Sequence, residues 1–129
     1  VIVVDTSAVC AILQGEPEGA VFVERIAEDG GVLSAGTVVE LGAVTSKEDT
    51  AHKALLEFLM FPFIEIEGVD AKDALNAVDA YRRFGKGLHP AHLNFGDTFA
   101  YALARKKDLP LLFKGNDFSL TDVESAIPA

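Results

Sequence analysis

Apolar and polar positions along the chain follow two rhythms, short β-branched runs and longer stretches of helical spacing. Val1-Ile2-Val3-Val4 ends at Asp5-Thr6-Ser7, which predicts a short buried strand running into a helix start. That helix extends to about Leu13 and breaks at Gly15 and Pro17. A second, amphipathic helix follows, with Ala20, Phe22, Val23 and Ile26 apolar and Gly30-Gly31 ending it. Val32-Leu33-Ser34-Ala35 reads as a second strand, and Thr37 as the opening of a helix over 38–44. Ala51, Ala54, Leu55, Phe58 and Leu59 fall at the i, i+3, i+4, i+7, i+8 spacing of one helix face. Phe63-Ile64-Glu65-Ile66 reads as the third strand. The next helix is expected to bury Ala71, Ala74, Leu75, Val78 and Tyr81 before Gly85 and Gly87 stop it. Residues 86–93 form a loop, a helix begins near Asn94 and passes through Phe99 and Leu103, and Leu111-Leu112-Phe113 is a fourth strand. Ser119-x-x-Asp122 has the form of a capping box for a last short helix.

Strands that alternate with helical stretches imply parallel strands joined by helical crossovers. The expected fold is therefore α/β, three α/β/α layers around a central parallel sheet of four or five short strands. At 129 residues the chain is read as one domain, 1–129, large enough to bury a core without staples. No apolar run approaches the length of a membrane span. Cys10 is the only cysteine, so no internal disulfide is expected, and a reducing cytoplasm fits. The formal charge of −9 argues against a protein that holds nucleic acid by charge alone. Where the acids fall matters more than their sum.

Asp5 follows the first strand, Glu40 lies early in the helix after the second, Asp97 in the first turn of a late helix, and Asp117 after the last strand. Ligands of open parallel sheets bind outside the carboxyl ends of the strands, so these acids are placed to converge. Each also has an ordinary explanation. Asp5 would cap the first helix, Thr37-x-x-Glu40 and Asn94-x-x-Asp97 resemble capping boxes, and Asp117 is a turn residue beside Asn116. Together they are harder to dismiss. Four carboxylates about 5 Å apart would repel by up to roughly 20 kcal/mol at an effective dielectric near 20. A protein of ordinary stability would need a cation there. Oxygen-only donors favour Mg2+, or Mn2+, over zinc.

The segments Val1-Ile2-Val3-Val4-Asp5-Thr6-Ser7-Ala8, Val39-Glu40, Leu93-Asn94-Phe95-Gly96-Asp97-Thr98-Phe99 and Leu111-Leu112-Phe113-Lys114-Gly115-Asn116-Asp117-Phe118 resemble, in order, the four blocks of a PIN domain. The version of the blocks is that of VapC toxins, the ribonuclease half of VapBC toxin–antitoxin pairs. The resemblance implies an Mg2+-dependent endoribonuclease with a PIN-like fold. It implies Asp5 and Asp97 as the principal metal ligands, Glu40 and Asp117 completing the acidic quartet, and Thr6 and Ser7 orienting Asp5. Asn116 stands where relatives often carry a second acid. A homodimer and a small VapB-like antitoxin are implied as partners, RNA as substrate.

Arg82-Arg83-Phe84-Gly85-Lys86 leads towards Asp97 without an acid. Arg82, Arg83 and Lys86 either grip RNA phosphates or complement a helix dipole. Arg105-Lys106-Lys107 reads as a dipole complement, Lys114 either reaches the site or is an ordinary surface lysine, and Glu16, Glu18, Glu24, Glu28 and Asp29 read as a solvated face. His89 and His92 flank a proline and read as loop residues. A phosphoaspartyl receiver would need an aspartate ending a middle strand, where Ser34-Ala35-Gly36 and Ile66-Glu67-Gly68 stand. A haloacid-dehalogenase-like phosphatase would need an acid at Ser7. The remaining alternative is a PIN-like module that binds RNA or protein without cutting.

Overall fold

The computed structural model describes residues 1–127. Strands β1 (Ile2–Val4), β2 (Gly31–Ser34), β3 (Ile64–Glu67) and β4 (Leu111–Leu112) form one sheet in the order β3-β2-β1-β4, every pair parallel. Helices α1 (Thr6–Leu13) and α2 (Gly19–Asp29) connect β1 to β2. α3 (Ala35–Thr45) and α4 (Asp49–Leu59) connect β2 to β3, and α5 (Ala71–Phe84) and α6 (Asp97–Lys107) connect β3 to β4. A 3-10 turn, Asp117–Leu120, follows.

The strands are short because each only has to cross a core that is apolar on both sides. Side chains alternate between two clusters. Ile2, Val4, Leu33, Ile64 and Leu112 join Val9, Phe22, Ile26, Leu41, Leu55 and Phe58 on one side. Val3, Val32 and Leu111 join Ala80, Phe84, Leu93, Tyr101 and Leu103 on the other. The result is the expected α/β/α sandwich, with a sheet of four strands among the described residues.

Three local expectations are corrected. α3 begins at Ala35, not Thr37, because the Ser34 hydroxyl caps it by accepting from the Gly36 N–H at 3.2 Å. Thr37 is buried inside the helix with its Oγ1 unpartnered, so Thr37 and Glu40 form no capping box. On α5, Ala71, Ala74, Leu75, Val78 and Tyr81 face outward, Leu75 being 70% exposed. The buried face is Ala77, Ala80 and Phe84, whose two alanines let α5 lie close against α6. Ser119-x-x-Asp122 caps nothing. The Asp122 carboxylate accepts from the Tyr101 hydroxyl at 2.5 Å and meets Arg83 at 3.5 Å and Arg105 at 3.9 Å.

That last contact ties the C-terminal segment to α5 and α6. Burial, then the Asp122 bond, pushes the Tyr101 hydroxyl up to about 12. Burial opposes ionisation of Asp122, but the Tyr101 hydroxyl and the Arg105 and Arg83 guanidiniums outweigh it and lower its pKa. Tyr101→Phe is expected to cost about 1–2 kcal/mol in urea denaturation, a charged acceptor losing its donor. A loss below the error of the measurement would show that water replaces the hydroxyl without cost.

Candidate active site

The sheet order reverses direction between β1 and β4, and the crevice beyond their carboxyl ends is where an α/β sheet binds ligands. Asp5 leaves β1 at that point. Its backbone is extended, it caps α1, and its side chain is 1% exposed. Oδ2 accepts from the Ser7 N–H at 3.0 Å and the Ser7 hydroxyl at 2.7 Å. The Ser7 hydroxyl in turn accepts from the Lys114 N–H at 3.0 Å, joining the exits of β1 and β4. Asp5 Oδ1 is buried with no hydrogen-bond partner. An unpaired buried carboxylate oxygen is costly, and either a proton or a cation would remove the cost.

Glu40 lies in the second turn of α3, half-buried, and accepts a short hydrogen bond from the Thr6 hydroxyl. The Thr6 hydroxyl therefore orients Glu40, while Ser7 supplies the main bonds to Asp5 and the Thr6 N–H a weaker one. The other end of the Glu40 carboxylate lies against Gly96, in the space a Cβ there would fill. Asp97 opens α6 and is 8% exposed. Its Oδ2 accepts from the Asn94 N–H at 2.9 Å, and its N–H donates to Asn94 Oδ1 at 2.9 Å. Asn94 and Asp97 thus exchange the two bonds of a capping box, in the turn that leads into α6 at Gly96. Asp117 and Asn116 are exposed at the start of the 3-10 turn after β4.

Asp97 stands at the electrostatic centre of the group. Burial first, then the charges of Asp5, Glu40 and Asp117, push its carboxyl up to about 7 against an Asn94 hydrogen bond that opposes the shift. Asp5 is pushed up to about 6, mainly by burial and further by Glu40, although its Ser7 bonds pull the other way. Burial, with Asp5 and Glu40, also raises the Cys10 thiol, which backs onto the site from α1. Desolvation rather than mutual repulsion is the larger cause, so the crowding inferred from sequence overstates the repulsion. As they stand, no three acid, histidine or cysteine side chains among the described residues are close enough together to hold a metal ion between them. The donor chemistry and the orphaned Asp5 oxygen nevertheless suit a hard divalent cation, with Asp5 and Asp97 the residues to hold it.

The basic residues divide. Arg83 is engaged by Asp122 and Asp79 and sits 4.8 Å from the Phe84 ring centroid. Arg82 lines a groove of about 360 Å³ with Val78, Tyr81, Phe95, Thr98 and Phe99, and neither it nor Lys86 has a carboxylate partner among the described residues. Lys114 pairs with Glu16 and with Glu18, binding the β4 exit to the α1–α2 turn. Those two glutamates are half-buried, not a free solvated face. Lys106 and Lys107 pair with Asp73 and Glu67, each at 3.0 Å. His89 caps its own loop by accepting from the Ala91 N–H at 3.0 Å. Sequence reading missed Gly96 and the Lys114 N–H. A glycine directly before a helix gives no sign of the glutamate that crosses it.

The chain matches the PIN domain over residues 2–124. It is 42% identical to Ribonuclease VapC42 of Mycobacterium tuberculosis over 128 residues, 96% of this chain and 98% of that one. It is 41% identical to Ribonuclease VapC of Mycolicibacterium smegmatis over 124 residues, 94% of this chain and 96% of that one. Among solved structures it superposes on Mycobacterium tuberculosis VapC20, a sarcin–ricin-loop-cleaving toxin, with TM-score 0.76 at 19% identity, over 95% of this chain and 96% of that one. It superposes on a toxin–antitoxin complex from Klebsiella pneumoniae with TM-score 0.73 at 17% identity, over the full length of both.

Two outcomes follow from this geometry. A carboxyl whose pKa is higher folded than unfolded stabilises fully below its ordinary value of 3.8 and loses that contribution as pH rises through 6 to 7. In chelator, the thermal midpoint should therefore fall as pH rises from about 4 to about 7 and level off above that. Asp97→Asn should remove on the order of 2 kcal/mol of that slope, after allowance for solvent screening. An unchanged slope in the variant would contradict the assignment. Gly96→Ala should displace the Glu40 carboxylate and cost about 1 kcal/mol, chiefly through its hydrogen bond to Thr6. In a Glu40→Ala background the same change should cost far less, and additive losses would show that the two residues do not meet.

Proposed function

The chain belongs to the PIN-domain family, and on that premise we propose that it is a divalent-metal-dependent endoribonuclease acting as the toxin of a toxin–antitoxin pair. The observation that carries the reading is the buried, partnerless Asp5 Oδ1, with the Asp97 carboxyl close enough to feel the charge of Asp5. The relatives named as ribonucleases, alike over nearly their whole length, support the choice of RNA phosphodiesters as substrate.

Mg2+ or Mn2+ held here would polarise the scissile phosphate and lower the pKa of an attacking water. This chain's own residues do the rest. Ser7 and the Lys114 N–H fix Asp5, Thr6 fixes Glu40, and Asn94 fixes Asp97, so the acids keep their places while RNA approaches. Asp117, exposed after β4 and near enough for Asp97 to feel its charge, is available to hold water at the site. Arg82 and Lys86, free of carboxylate partners among the described residues, are the cations available for flanking phosphates. The outward row Leu75, Val78 and Tyr81 with Phe95, 75% exposed, supports a homodimer interface. A small VapB-like antitoxin is the further partner, supported by the toxin–antitoxin neighbour.

The openness of the acidic group favours a second reading, a PIN-like module that binds without cutting. Digestion of total RNA with Mg2+ separates them. Wild type should give discrete fragments, and Asp97→Asn should lose at least about 100-fold in rate, as expected when a metal-binding group is removed. No cleavage by wild type would favour the binding module, and equal cleavage by both proteins would place the chemistry elsewhere.

A further inference from the structure

In each of the three inner acids one carboxylate oxygen is tethered and the other is not. Asp5 is tied through Oδ2 by Ser7, with Oδ1 unpartnered. Glu40 is tied through Oε1 by Thr6, and Asp97 through Oδ2 by the Asn94 N–H. The Asp97 tether differs from the others in being closed into a ring, because the Asn94 side chain holds the Asp97 N–H in return. Both backbone and side chain of residue 97 are thereby fixed to residue 94. Gly96, between them, has helical backbone angles and carries the Glu40 carboxylate on its Cα. A shift of this turn would move Asp97 and the seat of Glu40 together.

We propose that Asn94 is a positioning residue, which presents Asp97 to a divalent cation through a single oxygen. The inference rests on the metal-dependent reading above. A side-chain acceptor at residue 94 stops the first turn of α6 from fraying, and a frayed first turn would let Asp97 swing its second oxygen inward. One-oxygen coordination by Asp97 would leave places on Mg2+ or Mn2+ for water and phosphate. Asn94 is itself exposed and touches no other acid of the group among the described hydrogen bonds, so its effect must pass through Asp97.

Direct Mn2+ titration of the purified protein, by calorimetry and by the resonance of the free ion, tests this without reference to cleavage. Asn94→Ala should weaken Mn2+ binding by about 10-fold or more, the usual size for a residue that orients a metal ligand. Asn94→Ser, which keeps an oxygen acceptor, should recover most of the affinity. Asp70→Ala is the control for stability alone. It removes the equivalent capping box of α5, near the Lys106 end of α6 and away from Asp97. It should lower the thermal midpoint as much as Asn94→Ala and leave Mn2+ affinity unchanged. Wild-type affinity in Asn94→Ala, or an equal loss in Asp70→Ala, overturns the proposal while leaving the metal reading intact. Absence of Mn2+ binding by wild type overturns both.

Discussion

A carboxylate shut inside the carboxyl end of a central parallel strand is the constraint from which the rest of this molecule follows. β1 is apolar on both faces, so the residue that leaves it emerges between two layers of helices rather than into water. Asp5 can remain there only because Ser7 supplies two donors to one oxygen. The other oxygen has none. The Ser7 hydroxyl can serve Asp5 because its lone pairs are steadied by the Lys114 N–H, which requires β4 to lie next to β1. Sheet order and site chemistry are therefore the same fact seen at two scales.

The ordinary and the chemical explanations of the acids turn out not to compete. Asp5 is a helix cap with one oxygen and leaves the other for the site. Asp97 is half of a capping box and still feels three other acids. A cap consumes one lone-pair direction of a carboxylate, and a carboxylate has several. Only Glu40 departs, because the helix it belongs to starts two residues earlier than its sequence suggests, at a serine that closes β2. Its carboxylate is then free to be held by a hydroxyl from α1.

What the sequence made legible was whatever depends on local period. Continuous apolar runs at Ile2–Val4 and Leu111–Leu112 could only be doubly covered strands. Asp5, Glu40 and Asp117 were placed correctly relative to the strands, since position after a strand fixes the end of the sheet, and Asp97 was placed correctly at the start of its helix. The rest was hidden because it depends on partners distant in sequence. α5 carries two stripes that both read as apolar, a small one of Ala77 and Ala80 and a larger one of Leu75, Val78 and Tyr81. Periodicity weighs the larger stripe, whereas close packing on α6 selects the smaller. Asp122 spells a cap but meets Tyr101, twenty-one residues away, and Lys114 meets glutamates almost a hundred residues earlier. No local pattern encodes such pairs.

The ring of Phe99 occupies the volume where Gly36 would carry a side chain. Gly36 stands one turn before Glu40 on α3, and Phe99 half a turn after Asp97 on α6. The two helices are thus seated against each other with no intervening layer, and the distance between two of the acids is set by a glycine that touches neither. Sequence drift at position 36 would be read out in the spacing of those carboxylates, so selection on the chemistry extends to a residue whose own chemistry is nil.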